Sequence, residues 1–199
     1  MKVKTALAEE LVRTFIAIEL PPELKTALGS FQNSLSIPTQ AVKWVNPESM
    51  HLTIKFLGDT QLGQISNIIK GLEKAAQVCS SFSLCTNRIG AFPSLSSPKI
   101  IWLGLEGEIE KLNTLFAEVE KNISGLGFPA EQREFAPHLT LGRLRESASK
   151  IDLQTAAETL KTTPPVPKTS FKATHIHLFK SQLLPAGPIY TKLAKISLA

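Results

Sequence analysis

The tetrapeptide His51-Leu52-Thr53-Ile54 returns almost unchanged as His138-Leu139-Thr140-Leu141, so two of the four histidines in the chain are followed by Leu-Thr. With ordinary usage of Leu and Thr, that pairing arises by chance on the order of once in a few thousand such sequences. Each copy sits in an apolar run with strand-like alternation. Leu52, Ile54 and Phe56 point one way and His51, Thr53 and Lys55 the other, while Leu139 and Leu141 oppose His138 and Thr140. A His and a Thr two residues apart on a strand share a face at a spacing of about 6–7 Å. One phosphate can therefore touch both. Imidazole titrates near about pH 6.5, so at neutral pH one ring can accept a proton while another donates one. Two such rings facing one another suit phosphodiester chemistry without a metal: the base deprotonates water and the acid protonates the departing sugar oxygen. The Thr53 and Thr140 hydroxyls would hold the non-bridging phosphate oxygens. Because the two motifs are nearly equivalent, their spacing does not say which histidine is the acid. Lys55, by strict alternation, shares the His51 face and is a further candidate cation.

Other candidates carry weaker signals. Arg133 and Arg143 are available for phosphate or nucleic acid, but alternation puts Arg143 on the face opposite His138 unless a bulge intervenes near Gly142. Trp44, Phe92 and Tyr190 are available to stack a base, although aromatics are more often core. His175 and His177 share a strand face, yet two ligands without a nearby carboxylate or cysteine set make a poor zinc site. Gly125-Leu126-Gly127 lacks the Lys-Ser/Thr ending of a phosphate loop, which argues against nucleoside triphosphate hydrolysis. No metal and no cofactor are expected.

The chain has 199 residues, 43% apolar and 20% charged, ordinary for a globular domain able to bury a core. A net charge of +5 suits an anionic substrate or nucleic acid, though Lys and Arg are scattered and form no dense block. Cys79 and Cys85 make neither a disulfide framework nor a zinc pattern, so a reducing, cytoplasmic setting is expected. Residues Met1 to Arg13 lack the unbroken apolar core of a secretory leader, and no stretch reaches about eighteen consecutive apolar residues. No membrane association is expected, and a monomer is.

Periodicity supplies the elements that must carry the two motifs. Strands are expected at 13–20, 41–45, from His51 to Gly58-Asp59, 82–89, 99–105, 135–144, 170–179 and 189–198, with helices at 22–35, 62–78, 108–122 and 151–160. A Pro/Ser/Gly loop joins the strands across 90–98, and 163–167 reads as a proline-rich connector. His51 and His138 lie 87 residues apart, and that offset drops Arg13–Ile18 onto Ile100–Leu105 and helix 22–35 onto 109–122. The period implies an α+β fold: one bilobal domain over 1–199, its repeats spanning about 13–99 and 100–199. Pseudo-twofold lobes would bring antiparallel sheets to a central cleft, with helices on the outer faces. Tail strands crossing between lobes would blur any sharp boundary.

The segments His51-Leu52-Thr53-Ile54-Lys55-Phe56-Leu57-Gly58 and Pro137-His138-Leu139-Thr140-Leu141-Gly142-Arg143 resemble the paired signatures of the two-histidine phosphoesterase superfamily. More narrowly, the chain is similar to the LigT-like RNA 2',3'-cyclic phosphodiesterases, formerly called 2'-5' RNA ligases. Further matches are Arg13 to Ile18, Lys43-Trp44-Val45, Gly90-Ala91-Phe92-Pro93, Trp102-Leu103-Gly104, Ser181, Leu183, Gly187 and Tyr190. The resemblance implies hydrolysis of the 2',3'-cyclic phosphate end of RNA to a 2'-phosphomonoester, with His51 as proton donor and His138 as proton acceptor. Two positions depart from the pattern: Lys43 stands where arginine is expected and Gly142 where alanine is frequent. Lysine does not reproduce arginine's bidentate fork. Rival readings use the same histidines on small cyclic phosphates or 2'-5' oligonucleotides, or make the chain a non-catalytic RNA-binding module.

Overall fold

A computed structural model describes residues 10–163, 166, 168–185 and 187–199. The first nine residues and most of the proline-rich connector therefore lie outside the described residues. The strands are β1 (Leu11–Glu19), β2 (Val42–Trp44), β3 (His51–Gln61), β4 (Phe82–Ser94), β5 (Ser97–Gly107), β6 (His138–Leu144), β7 (Ser170–Ala173), β8 (His175–Leu184) and β9 (Gly187–Ser197). The helices are α1 (Pro22–Ser34), α2 (Ile65–Gln77), α3 (Ile109–Ser124) and α4 (Lys150–Thr162).

The expected lobes are two halves of one antiparallel sheet in the order β7-β4-β5-β6-β3-β1-β8-β9, with β2 added to β6. Each half borrows from the other part of the chain. β4 completes the half that holds β5 and β6, while β8 and β9 complete the half that holds β3 and β1. The halves meet where Leu52 of β3 pairs with Leu139 of β6. Both leucines are fully buried in the main hydrophobic cluster, with the inward residues of all four helices. The opposite face carries a small cluster of Phe15, Ala17 and Phe179, with Tyr190 packed against it.

Alternation breaks twice along β3, at Ile54 and again at Leu57, and once along β6. Between Ile16 and Ala17 the partner on β3 jumps from Lys55 to Thr53, leaving Ile54 as an extra residue. Between Ile101 and Trp102 the partner on β6 jumps from Gly142 to Thr140, leaving Leu141 extra. A bulge of this kind reverses the facing of the residues beyond it, in β3 as far as the further shift at Leu57. Lys55 is therefore turned away from the His51 face and buried, contrary to the strict-alternation expectation. Its ammonium donates to Glu120 Oε1 at 2.7 Å, Glu120 Oε2 at 2.9 Å and the Pro129 carbonyl at 2.8 Å. Phe56 and Arg143, each two residues past the bulge, turn out onto the histidine face.

The second bulge is held from the helical side. Gln32 of α1 donates to the carbonyls of Leu141 at 2.8 Å and Val45 at 2.9 Å, and the Val45 amide also donates to Leu141. The extra residue's carbonyl thus has partners although the ladder passes it by. Gly142 belongs to the same packing, since a Cβ there would come within 2.8 Å of the Trp44 ring and of Val42. The departure from alanine is a space requirement set by Trp44.

Two further expectations change. The loop across 90–98 is a hairpin, with Gly90 to Ser94 in β4; Gly90 leaves room for the Trp102 indole rather than making a turn. The constant offset of 87 fits β6 against β3 but not β5 against β1, because Trp102 faces Thr140 whereas Ala17 faces Thr53. A two-residue slip preserves which face is buried, so hydrophobic patterning alone does not forbid it. It exchanges sizes between neighbours: Trp102 lies beside Gly90, and in the other half Ala17 lies beside His177.

His177 is buried with both ring nitrogens unpartnered, and the Glu19 carboxylate is 3.8 Å away. Burial, helped by the Lys192 ammonium and opposed by Glu19, lowers its pKa to about 4. An unfolded chain, titrating near its ordinary value, binds that proton first, so stability falls as pH drops from about 6.5 toward 4. Urea denaturation across that range is expected to show this loss, and His177→Phe is expected to flatten it. At neutral pH, Gln32→Met is expected to lower stability by about 1–3 kcal/mol, because the part-buried Val45 carbonyl loses the Gln32 amide and the Leu141 carbonyl keeps only the Val45 amide.

Candidate active site

Each motif histidine begins its strand and is oriented by the turn before it. His51 Nδ1 is 2.8 Å from the Ser49 carbonyl and His138 Nδ1 is 2.7 Å from the Ala136 carbonyl, in both cases two residues back. A carbonyl only accepts, so Nδ1 carries the proton in each ring and Nε2 is left for chemistry. In the neutral ring Nε2 is a base; in the charged ring it is a donor. The turn before His51 is itself held, with Asn46 accepting the Glu48 amide at 3.0 Å.

The Leu52–Leu139 pairing sets the geometry between the motifs. Carried one residue either way, this register places His51 across from Thr140 and Thr53 across from His138. Directly opposed side chains lie about 4.5–5.5 Å apart at Cβ, and the two histidines stand on a diagonal, for which the usual spacing is about 7–8 Å.

Aromatic rings back both histidines. Phe15 lies 4.7 Å from the His51 ring, with Tyr190 edge-on at 5.3 Å. Phe92 stands edge-on to His138 at 5.1 Å, with Trp102 at 6.2 Å. Burial lowers the His51 pKa, as does the Lys25 ammonium, and the Ser49 carbonyl partly offsets them.

Two cavities flank the pair. One, of about 560 Å³, is lined by His51, Thr53 and Thr140 together with Arg143, and its wall continues to Arg13, Lys43 and Tyr190. The other, of about 470 Å³, opens on His138 between Phe92, Trp102 and Arg88. The structure thus brings three of the four expected residues into one cavity and His138 into the lining of the other. Arg133 lines neither cavity. Arg143, discounted on alternation, is in the cleft because of the bulge at Leu141; the only trace of this in the sequence is Gly142. Arg13 and Phe56 were not singled out as site residues, and for Phe56 the concealed bulge is the reason.

Tyr190 is kept protonated by burial, against the nearby charges of Arg143 and Arg13. Its hydroxyl remains a donor at neutral pH. His175 and His177 have ring centres 6.1 Å apart, and among the described residues no group of three or more His, Cys, Asp or Glu side chains gathers.

Residues 18–102 and 103–190 each match the family described as LigT like Phosphoesterase. The RNA 2',3'-cyclic phosphodiesterase of Methanocaldococcus jannaschii is 34% identical over 90% of this chain and 96% of its own. The protein of that name from Thermotoga maritima is 32% identical over 92% and 93%. The crystal structure of E. coli LigT complexed with 3'-AMP superposes with a TM-score of 0.78, at 25% identity, covering 96% of this chain and 99% of the other.

Nitrogen-15 NMR titration of the free protein is expected to place the His51 imidazole below the ordinary value of about 6.5. Inorganic phosphate is expected to raise it, because a neighbouring anion favours the charged ring. A free-protein value above the ordinary one would contradict the burial argument.

Proposed function

This chain belongs to the LigT-like phosphoesterase family, and from that premise we propose that it is an RNA 2',3'-cyclic phosphodiesterase in which His51 donates and His138 accepts the proton. The observation that carries the reading is the junction itself: one cross-strand pair, Leu52–Leu139, sets two His-x-Thr strands side by side on an open face. His138 Nε2 takes a proton from water as its oxygen attacks phosphorus. The bond from phosphorus to O3' breaks, and His51 Nε2 protonates the leaving O3'. The products are a 2'-phosphomonoester and a free 3'-hydroxyl. Thr53 and Thr140 hold the non-bridging oxygens, and Arg143 adds positive charge where negative charge accumulates.

The lowered pKa of His51 does not at first suit an acid. An anionic cyclic phosphate against the ring favours its charged form, so binding loads the donor. Three cations and no carboxylate in the larger cavity's lining would repel a divalent ion rather than hold one, which supports the metal-independent route.

We further propose that the repeated halves act as one unit, a monomer working in the cytoplasm. Both histidine strands come from one chain, the sheet halves exchange strands, and the two cysteines are free thiols. Among the described residues no helix is long and apolar enough to cross a membrane.

Phosphorus-31 NMR of a cyclic-phosphate-ended oligoribonucleotide incubated with the protein is expected to show the 2'-phosphomonoester, with EDTA present or absent. Loss of product on chelation, restored by a divalent ion, would overturn the metal-free route. His51→Ala and His138→Ala are each expected to lower kcat by about 10²–10⁴-fold with an unchanged far-ultraviolet circular dichroism spectrum. Wild-type protein that binds the RNA without converting it, with equal binding by both variants, would favour an RNA-binding module.

A further inference from the structure

Lys43 and Arg143 are direct cross-strand partners on β2 and β6, and both line the larger cavity. Like charges directly opposite one another on a sheet are destabilising. Arg13 lies in the same wall, and the described lining contains no aspartate or glutamate. Among the described residues none of the three cations has a carboxylate within 4.0 Å. A terminal cyclic phosphate carries one negative charge, so three cations exceed what it needs. Phe56 adds a second anomaly: turned onto this face by the bulge at Ile54, the residue is 68% exposed although it lines the cavity.

We propose that this wall is a subsite for the nucleotide preceding the cyclic end: Arg13 and Lys43 take the internucleotide phosphate, and Phe56 stacks the preceding base. The inference rests on the RNA reading given above and adds to it the length of strand the enzyme selects. An exposed ring at the rim of a cationic cavity has the form of a sequence-tolerant stacking platform, in which every base offers a π-face and the phosphates supply the salt dependence. The like-charged Lys43–Arg143 pair is then relieved when RNA phosphate lies against it, and lysine suffices at 43 because a point charge serves a phosphate that need not be gripped bidentately.

The test compares kcat/KM on a 2',3'-cyclic-phosphate-ended oligoribonucleotide with that on a nucleoside 2',3'-cyclic phosphate, in wild type, Phe56→Ala and Lys43→Met. Wild type is expected to prefer the oligonucleotide. Phe56→Ala is expected to lower the oligonucleotide-to-mononucleotide ratio by about tenfold, the scale of losing one stacked base. Lys43→Met is expected to make the dependence of log KM for the oligonucleotide on log salt shallower by about 0.7, the value of one single-strand phosphate contact. Equal losses on both substrates, or a wild type indifferent to strand length, would overturn the subsite while leaving the phosphodiesterase reading in place. Absence of turnover on either substrate by wild type would remove that reading and the subsite with it.

Discussion

The pairing of Leu52 with Leu139 is the contact on which the site depends. It is the rung that joins the two half-sheets, and its two side chains are sealed in the core. On one face it joins the hydrophobic cluster; on the other it sets the spacing of two imidazoles. Losing it would cost the usual 2–5 kcal/mol of a buried leucine, roughly, and would also change the separation of the proposed acid and base. Stability and chemistry are coupled at one rung.

Bulges do the rest of the aiming. The extra residues Ile54 and Leu141 occupy matching places in the two motif strands, and each reverses the facing beyond it. In one strand the reversal sends Lys55 inward to Glu120 and the Pro129 carbonyl, tying the first motif to the loop that leads to the second. In the other it sends Arg143 outward. The same distortion thus yields a buried brace in one half and an exposed cation in the other, because the residues that follow differ. Gln32 holds the second bulge by hydrogen bonds and Trp44 packs against Gly142 beside it.

Much of this could be read from the residues alone. The repeated His-Leu-Thr pattern located both proposed acid–base groups, and helical periodicity found all four helices within a few residues. What escaped was geometry that leaves no periodic trace. Strict alternation misplaced Lys55 and Arg143 because a bulge changes parity without changing composition. Gly90 read as a loop residue, since glycine accommodating a neighbouring indole looks the same in sequence as glycine in a turn. The two-residue slip of β5 against β1 was invisible because both registers bury the same face. A strand expected across 170–179 is broken at Thr174, where β7 joins one half of the sheet and β8 the other.

The electrostatics follow from the same frame. Burial against Phe15 and Tyr190 keeps the His51 ring poorly charged until an anion arrives, and the cationic wall beyond it attracts that anion. In the proposed mechanism, substrate binding and loading of the acid are then one event. The most direct measurement is a structure with inorganic phosphate or a non-hydrolysable cyclic phosphate analogue bound. The account predicts phosphate oxygens within about 2.6–3.2 Å of Nε2 of both His51 and His138. A phosphate held by only one of the two rings, or seated away from both, would contradict it.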